Sequence, residues 1–402
     1  MIIAILNENG FICAMSSIRM DIGLLRALGG VLVHLFASTL CWSQKATENL
    51  IHEGLTKYAL GSYVESVTLY SAAIDLDKKC SECYRLRGEA NIGLLEFFEA
   101  REDFTRSIKY DKKNPMLYKV RGDLNLRLNI VYSTIADYRK VVKFDKKSPL
   151  AYFDLANAYY SFKDYTQAVK LFSKCIELSD TIAEAWYLRG SSYLKLKIYN
   201  NAIDDLTKAI ELDTAYEDAY LKRGQTLARY KDWEGAMKNY VRILDLNPSH
   251  ADAYFFRGKA HKELGDRDGA IADFSKVVEL DSGAYDAVNN LGFLKVEDGD
   301  YSGAIVLYDY LVKQDPFNGF AYNNRGYAKY KSGDLQGALA DIDRSLSTKP
   351  DNSYAYRNRA LVNIEDKSFV SACKDIKKAL KFGFTEKYGN EVLDLHDRYC
   401  KE

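Results

Sequence analysis

The chain repeats itself with a period of 34 residues from Thr47 to Glu386, in ten copies without insertion or deletion. So short and regular a period admits few folds, because each copy must form one small supersecondary element that cannot bury its apolar face alone. Stacking on neighbouring copies is what buries it. The eighth place of every repeat is small: Gly54, Gly88, Gly122, Ala156, Gly190, Gly224, Gly258, Gly292, Gly326 and Ala360. The twentieth is Ala in eight repeats, with Ser66 and Thr134 in the other two. Two small sites twelve residues apart, each inside a helix-period apolar pattern, let two antiparallel helices approach closely where they cross. Each repeat therefore reads as a helix–turn–helix hairpin.

The rest of the chain agrees. A large ring occupies the fourth place in eight repeats (Tyr84, Tyr118, Tyr152, Trp186, Tyr220, Tyr254, Tyr322, Tyr356), where it can fill the groove against the next hairpin. All five prolines (Pro115, Pro149, Pro248, Pro316, Pro350) fall at repeat junctions, where a helix must end and a missing N–H costs little. These residues resemble the tetratricopeptide repeat family: small at places eight and twenty, aromatic near four and twenty-four, proline near thirty-two. The resemblance covers about 85% of the chain. It implies an all-α fold, an α-solenoid of ten hairpins wound as a right-handed superhelix with the first helices lining its concave face. It also implies a non-enzymatic scaffold that holds a protein or an extended peptide in that groove. The expected organisation is a leader at 1–46, repeats at 47–386, and a capping helix at 387–402 over the last hairpin.

A row of arginines stands at the seventh place: Arg87, Arg121, Arg189, Arg223, Arg257, Arg325 and Arg359. It invites a reading as an anion ladder, and the twenty-third place argues against it. The same repeats carry Asp103, Asp137, Asp205, Asn239, Asp273, Asp341 and Asp375 there, whereas Leu155 goes with Leu171 and Leu291 with Leu307. Polar pairs with polar and apolar with apolar, so the expectation is a structural Arg–Asp bond within each hairpin, bidentate where geometry permits.

Places two, five, six, nine, twelve and thirteen of the first helix share one face by three- and four-residue steps. In repeats four to seven that face mixes rings and charge, with Phe153, Asn157, Tyr160, Tyr187, Lys195, Lys222, Gln225, Arg229, Phe255, Lys259 and Lys262. In repeats eight to ten it turns amide-rich: Asn289 and Asn290, Asn323 and Asn324, then Arg357 and Asn358. An amide both donates and accepts, so the sixth-place row Asn290, Asn324, Asn358 could follow an extended backbone. The row is similar to the asparagine ladder of the O-GlcNAc transferase superhelix; the alternative is that these amides cap or solvate an open face. The Lys, Asn and Arg set by which some family members clamp chaperone tails is absent, since Phe153 and Leu188 stand at two of its places.

The chain has 56 basic and 56 acidic residues among 402, so no global field favours nucleic acid or an anionic membrane. Its N-terminus carries an apolar segment at 22–43 behind Arg19 and ahead of Ser43, which reads as a secretory signal. An uncleaved anchor, and a start at Met20 rather than Met1, remain alternatives. Export to the periplasm or cell surface is the expectation, with a cytosolic or membrane-anchored adaptor as the other reading. Seven cysteines are too few for a disulfide-dense scaffold. Cys373 and Cys400 could meet and bond in an exported protein, an ending that resembles exported bacterial repeat proteins. Cys80 and Cys83 form a lone C-x-x-C, which admits a thiol oxidoreductase as a reading of another class. A zinc site would need a second pair, so no metal and no cofactor is expected. The five histidines are scattered, and no Gly-rich phosphate loop, nucleophile elbow or paired-His motif occurs.

Overall fold

The computed structural model describes residues 5–6, 12–13 and 31–400, with side chains from Trp42 onward except that of Lys387. Among the described residues there are twenty-two α-helices, twenty of them paired as ten hairpins, and one two-residue antiparallel pairing of Ile5–Leu6 with Ile12–Cys13. The chain divides into two compact units, Met1–Ile198 and Tyr199–Glu402, at the turn of repeat five. Both are built from the same hairpin.

That hairpin is set by one close crossing. A Cβ on Gly224 would lie 2.6 Å from Cε1 of Tyr240, and one on Gly54 would lie 2.5 Å from Cε1 of Tyr70. Gly88, Gly122 and Gly292 meet Phe104, Tyr138 and Tyr308 in the same way. The place-eight residue thus seats the place-twenty-four side chain, and the whole place-twenty-four column is buried: Tyr70, Phe104, Tyr138, Phe172, Leu206, Tyr240, Phe274, Tyr308, Ile342 and Ile376. Burying such a side chain contributes about 1.5–3 kcal/mol each. The fourth-place ring behaves differently from expectation. Rather than reaching for the next hairpin, it stacks on the end of its own second helix: Tyr84 on Tyr110 at 5.9 Å, Tyr118 on Phe144 at 5.8 Å, Tyr356 on Phe382 at 5.6 Å. A polar tip explains the choice, because the Tyr118 hydroxyl donates to the Lys112 carbonyl at 3.1 Å and Trp186 Nε1 to Asp180 O at 2.9 Å, both in the preceding junction.

The turn inside each hairpin uses one left-handed residue at place fifteen. It is glycine in Gly61, Gly265, Gly299 and Gly333, and a residue with a side chain in Leu95, Asn129, Lys163, Lys197, Lys231 and Lys367, at φ between 57° and 65°. At place sixteen an aspartate then caps the second helix in five repeats; Asp232 Oδ1 accepts from the Gly235 N–H at 2.9 Å, and Asp300 Oδ1 from Gly303 at 2.8 Å.

The ends depart from the expected boundaries. The helix Val31–Ala59 runs without a break across the leader boundary at 46/47. Positions 22–30 of the apolar segment, and Met20, lie outside the described residues; no described helix is long and apolar enough to cross a membrane. The single capping helix at 387–402 is instead two short helices, Phe384–Tyr388 and Glu391–Tyr399. Gly389 (φ 92°) takes a backbone conformation that separates the two, and Gly383 (φ 76°) sets the first of them off from the last hairpin. Tyr354 packs on Phe384 and Tyr388 at 5.9 and 5.2 Å, and Val392 is fully buried, so the tail still covers the last hairpin.

A side chain at the left-handed place costs roughly 1–2 kcal/mol, offset in part by the greater unfolded-state freedom of glycine. Lys231→Gly should therefore raise stability by about 0.5–1 kcal/mol and Gly265→Lys lower it by about 1 kcal/mol. Urea midpoints of the two variants should move in opposite directions.

Candidate functional site

The seventh-place arginines are internal. In the first compact unit, Arg87 donates to Asp103 through Nε at 2.9 Å and Nη2 at 2.7 Å, and Arg121 to Asp137 at the same two distances. In the second, Arg257–Asp273, Arg325–Asp341 and Arg359–Asp375 form the same bidentate fork. Each of these aspartates is buried. The Asp273 carboxylate holds Arg257 above its ordinary range, whereas Arg223, bonded to the neutral Asn239 at 2.9 Å, is pushed down by burial. Six of the guanidinium groups also lie over their own fourth-place rings; Arg325 is 5.2 Å from the Tyr322 centroid and Arg189 is 4.8 Å from that of Trp186. Arg189 and Asp205 fall in different compact units.

Two further partners escaped the sequence reading. The remaining Nη1 reaches back to place twenty-five of the preceding repeat: Arg87 to Ser71, Arg121 to Thr105, Arg189 to Ser173 and Arg223 to Thr207, all at 3.0 Å. In the last repeats that partner is a carboxylate, Asp309 for Arg325 and Asp343 for Arg359. The aspartate also takes a donor from place eleven: Asn91 on Asp103, Asn125 on Asp137 and Asn363 on Asp375, at 3.0–3.2 Å, and Lys329 on Asp341 at 2.8 Å. The arginine therefore joins hairpin to hairpin as well as helix to helix. A signal existed, since place twenty-five is Ser, Thr or Asp before six of the seven arginines, Val241 before Arg257 being the exception.

The amides of repeats eight to ten bond one another. Asn324 Nδ2 donates to Asn289 Oδ1 at 2.9 Å, Asn323 to Asn324 at 3.2 Å, Asn358 to Asn323 at 3.0 Å, and Arg357 Nη1 to Asn358 at 2.8 Å. Arg357 then forks onto Glu391 of the tail. Asn323, Asn358 and Arg357 are all buried. These bonds favour the structural alternative for Asn289, Asn323, Asn324, Arg357 and Asn358 over the expected peptide-binding role, since the side chains bond one another along repeats eight to ten, where leaving a buried amide unpaired would be costly. Asn290 stands apart and donates to Asp286 O of its own helix at 2.8 Å.

The ring-and-charge face is more open. Phe153 packs edge-on against Phe172 at 5.8 Å, and Tyr187 lies against the core of repeats three to five, both half-buried. In the second unit, Phe255 is likewise half-buried, edge-on to Phe274 at 5.8 Å and to Phe256 at 5.4 Å. Exposed cations lie over these rings: Lys259 Nζ is 5.7 Å from Phe255 and 5.9 Å from Phe256, and Lys262 Nζ is 4.8 Å from Phe293 of the next repeat.

Cys80 and Cys83 are bonded to each other, an arrangement sequence reading did not assign. Cys80 caps the helix Ser81–Gly93, its Sγ accepting from the Cys83 N–H at 3.0 Å, and Cys83 is buried with Ala73, Ile74 and Tyr84. Cys373 and Cys400 are bonded and tie the tail to the last hairpin. Cys175 is the free cysteine among the described residues, and burial pushes its thiol up to about 11. Among those residues no group of metal-ligating side chains gathers.

A family model described as tetratricopeptide repeat matches residues 221–285, 257–319, 289–353 and 323–383; one described as anaphase-promoting complex, cyclosome, subunit 3 matches 135–209. Among curated proteins none matches the sequence. The C-terminal part of a TPR repeat-containing protein from Cytophaga hutchinsonii is similar in structure at 17% identity and TM-score 0.53, covering 60% of this chain and 99% of that one. A tetratricopeptide repeat protein from Parabacteroides merdae matches at 20% identity and TM-score 0.48, covering 61% and 98%. MamA matches at 30% identity and TM-score 0.40, covering 41% and 91%. With the ten hairpins and their matched places, the class is an all-α solenoid of helical hairpins. The chain belongs to the tetratricopeptide repeat family, whose members serve as protein- or peptide-binding scaffolds.

If the arginine is a staple, removing one partner strands the other. Arg257→Leu should cost roughly 3 kcal/mol by leaving the buried Asp273 without its guanidinium and with only the His261 ring 3.7 Å away, and Asp273→Leu added to it should recover most of the loss. Repeats four and eight already carry Leu at both places. Urea unfolding of the two variants decides, and a double variant no more stable than the single one would contradict the staple.

Proposed function

We propose that this chain is a non-enzymatic scaffold that holds a protein segment or peptide on the first-helix face of repeats six to eight. One observation carries the reading. In the C-terminal repeats the polar side chains of that face bond one another, whereas Phe255, Phe256, Lys259, Lys262 and Phe293 keep rings and cations at the surface. Rings beside cations bring apolar area and charge to one place, as binding hot spots require. Selection of displayed peptides on the immobilised full chain tests this. Selected peptides should lose at least tenfold in affinity on Phe255→Ala/Phe293→Ala, with helicity unchanged; equal affinity for the double variant would place the partner elsewhere.

Export is part of the same proposal. Its supports are the apolar N-terminal segment and two bonded cysteine pairs, which suit an oxidising compartment. N-terminal sequencing of mature protein should find a chain that starts between 38 and 45, within the segment's end. A mature chain that starts at Met1 or Met20 would remove this part.

A further inference from the structure

Among the described residues no carboxylate pairs with Arg229, Lys259 or Lys262 on the open face, in contrast to three lysines elsewhere in the second compact unit. Lys208, Lys276 and Lys295 each pair with a carboxylate, on Glu211, Glu279 and Asp300. Lys259 and Lys262, both exposed, meet rings, and Arg229 lies 5.3 Å from the Tyr199 centroid. The face's acidic groups stand apart or are engaged. Asp218, Asp252 and Asp286 occupy place two, so Asp252 stands seven residues from Lys259 and ten from Lys262, about 10 and 15 Å along the helix, and Asp218 is eleven residues from Arg229. Their position in the first helical turn is one that favours carboxylates without any cation. Of the place-thirteen acids, Glu297 lies 3.7 Å from Arg267, which leaves Glu263 as the acid beside the band.

The result is a positive band set among Phe255, Phe256 and Phe293, on a chain with no net charge. Ring–cation contacts contribute only about 0.5–1 kcal/mol at exposed sites, less than a charge-assisted hydrogen bond to a carboxylate. The cations therefore have more to gain from an occupant than from the rings. We infer that the band takes an acidic peptide in extended form, its carboxylates on Arg229, Lys259 and Lys262 and its apolar side chains against Phe255, Phe256 and Phe293. This rests on the scaffold reading and names its partner's chemistry. The rings favour a peptide over a phosphate polymer, because an alternation of acid and apolar groups matches an alternation of cation and ring.

In an extended strand residues two apart share a face, so a peptide of three Glu-Glu-Leu-Leu blocks offers both groups on each face. Fluorescence anisotropy of that labelled peptide with the full chain should show binding at least tenfold tighter than for the Gln-Gln-Leu-Leu counterpart, weakening as salt is raised. Lys259→Glu/Lys262→Glu should abolish the difference with helicity unchanged and the chain still folded, the urea midpoint falling only by what the lost ring contacts supply. Equal binding of the Gln form overturns the inference and leaves the scaffold reading intact. Binding by neither peptide also overturns it, and the display selection then judges the scaffold reading separately. Tighter binding of an oligothymidine than of the Glu form overturns it in favour of a nucleic-acid site.

Discussion

Two helices of one hairpin come so close at the eighth place that, in the repeats with glycine there, an added methyl group would strike the ring or aliphatic chain of the twenty-fourth, and the other two repeats carry nothing larger than Ala156 and Ala360. That crossing sets the hairpin angle, and with it which faces of the first and second helices are left to meet the neighbouring repeats. Interiors close-packed to this degree do not slide, so a 34-residue register repeated ten times gives the same junction each time. The left-handed residue at place fifteen and the aspartate cap after it let the chain reverse within two residues.

Charge serves the same framework. Arg325, which forks onto the buried Asp341, lies over the Tyr322 ring and reaches Asp309 of the preceding hairpin, uses its donors and its planar face together. Toward the C-terminus the place-twenty-five partner changes from hydroxyl to carboxylate, and an amide relay appears beside it and ends on Glu391. The relay thus runs from repeat eight to the last hairpin, whose outer face the disulfide-tied tail covers.

The hairpin, its count and its Arg–Asp pairs were legible because they depend on residues that recur at fixed places, and a covarying pair such as Leu155 with Leu171 marks contact without coordinates. The amide relay was not. Its bonds run from place five of one repeat to place six of the next, a step of 35 that alignment in a register of 34 conceals, as from Asn289 to Asn324. Read as a sixth-place ladder, the same residues looked free. The split of the tail was written in Gly389, but apolar periodicity there suggested one helix and outweighed it. Phe255, Lys259 and Lys262 were correctly seen as sharing a face; that their rings and charges meet one another, and reach Phe293 in the next repeat, required the structure.

The central claim is that the polar inner face of the last repeats is structural and the ring-and-cation face of repeats six to eight binds. Amide hydrogen exchange of the full chain, with and without a peptide recovered by display selection, separates the two. The account predicts new protection in Glu217–Arg229, Ala251–Glu263 and Tyr285–Glu297, with none added in Gly319–Lys331 and Ser353–Glu365. Protection confined to those last two helices would mean that the relay opens to take the ligand, and would contradict it.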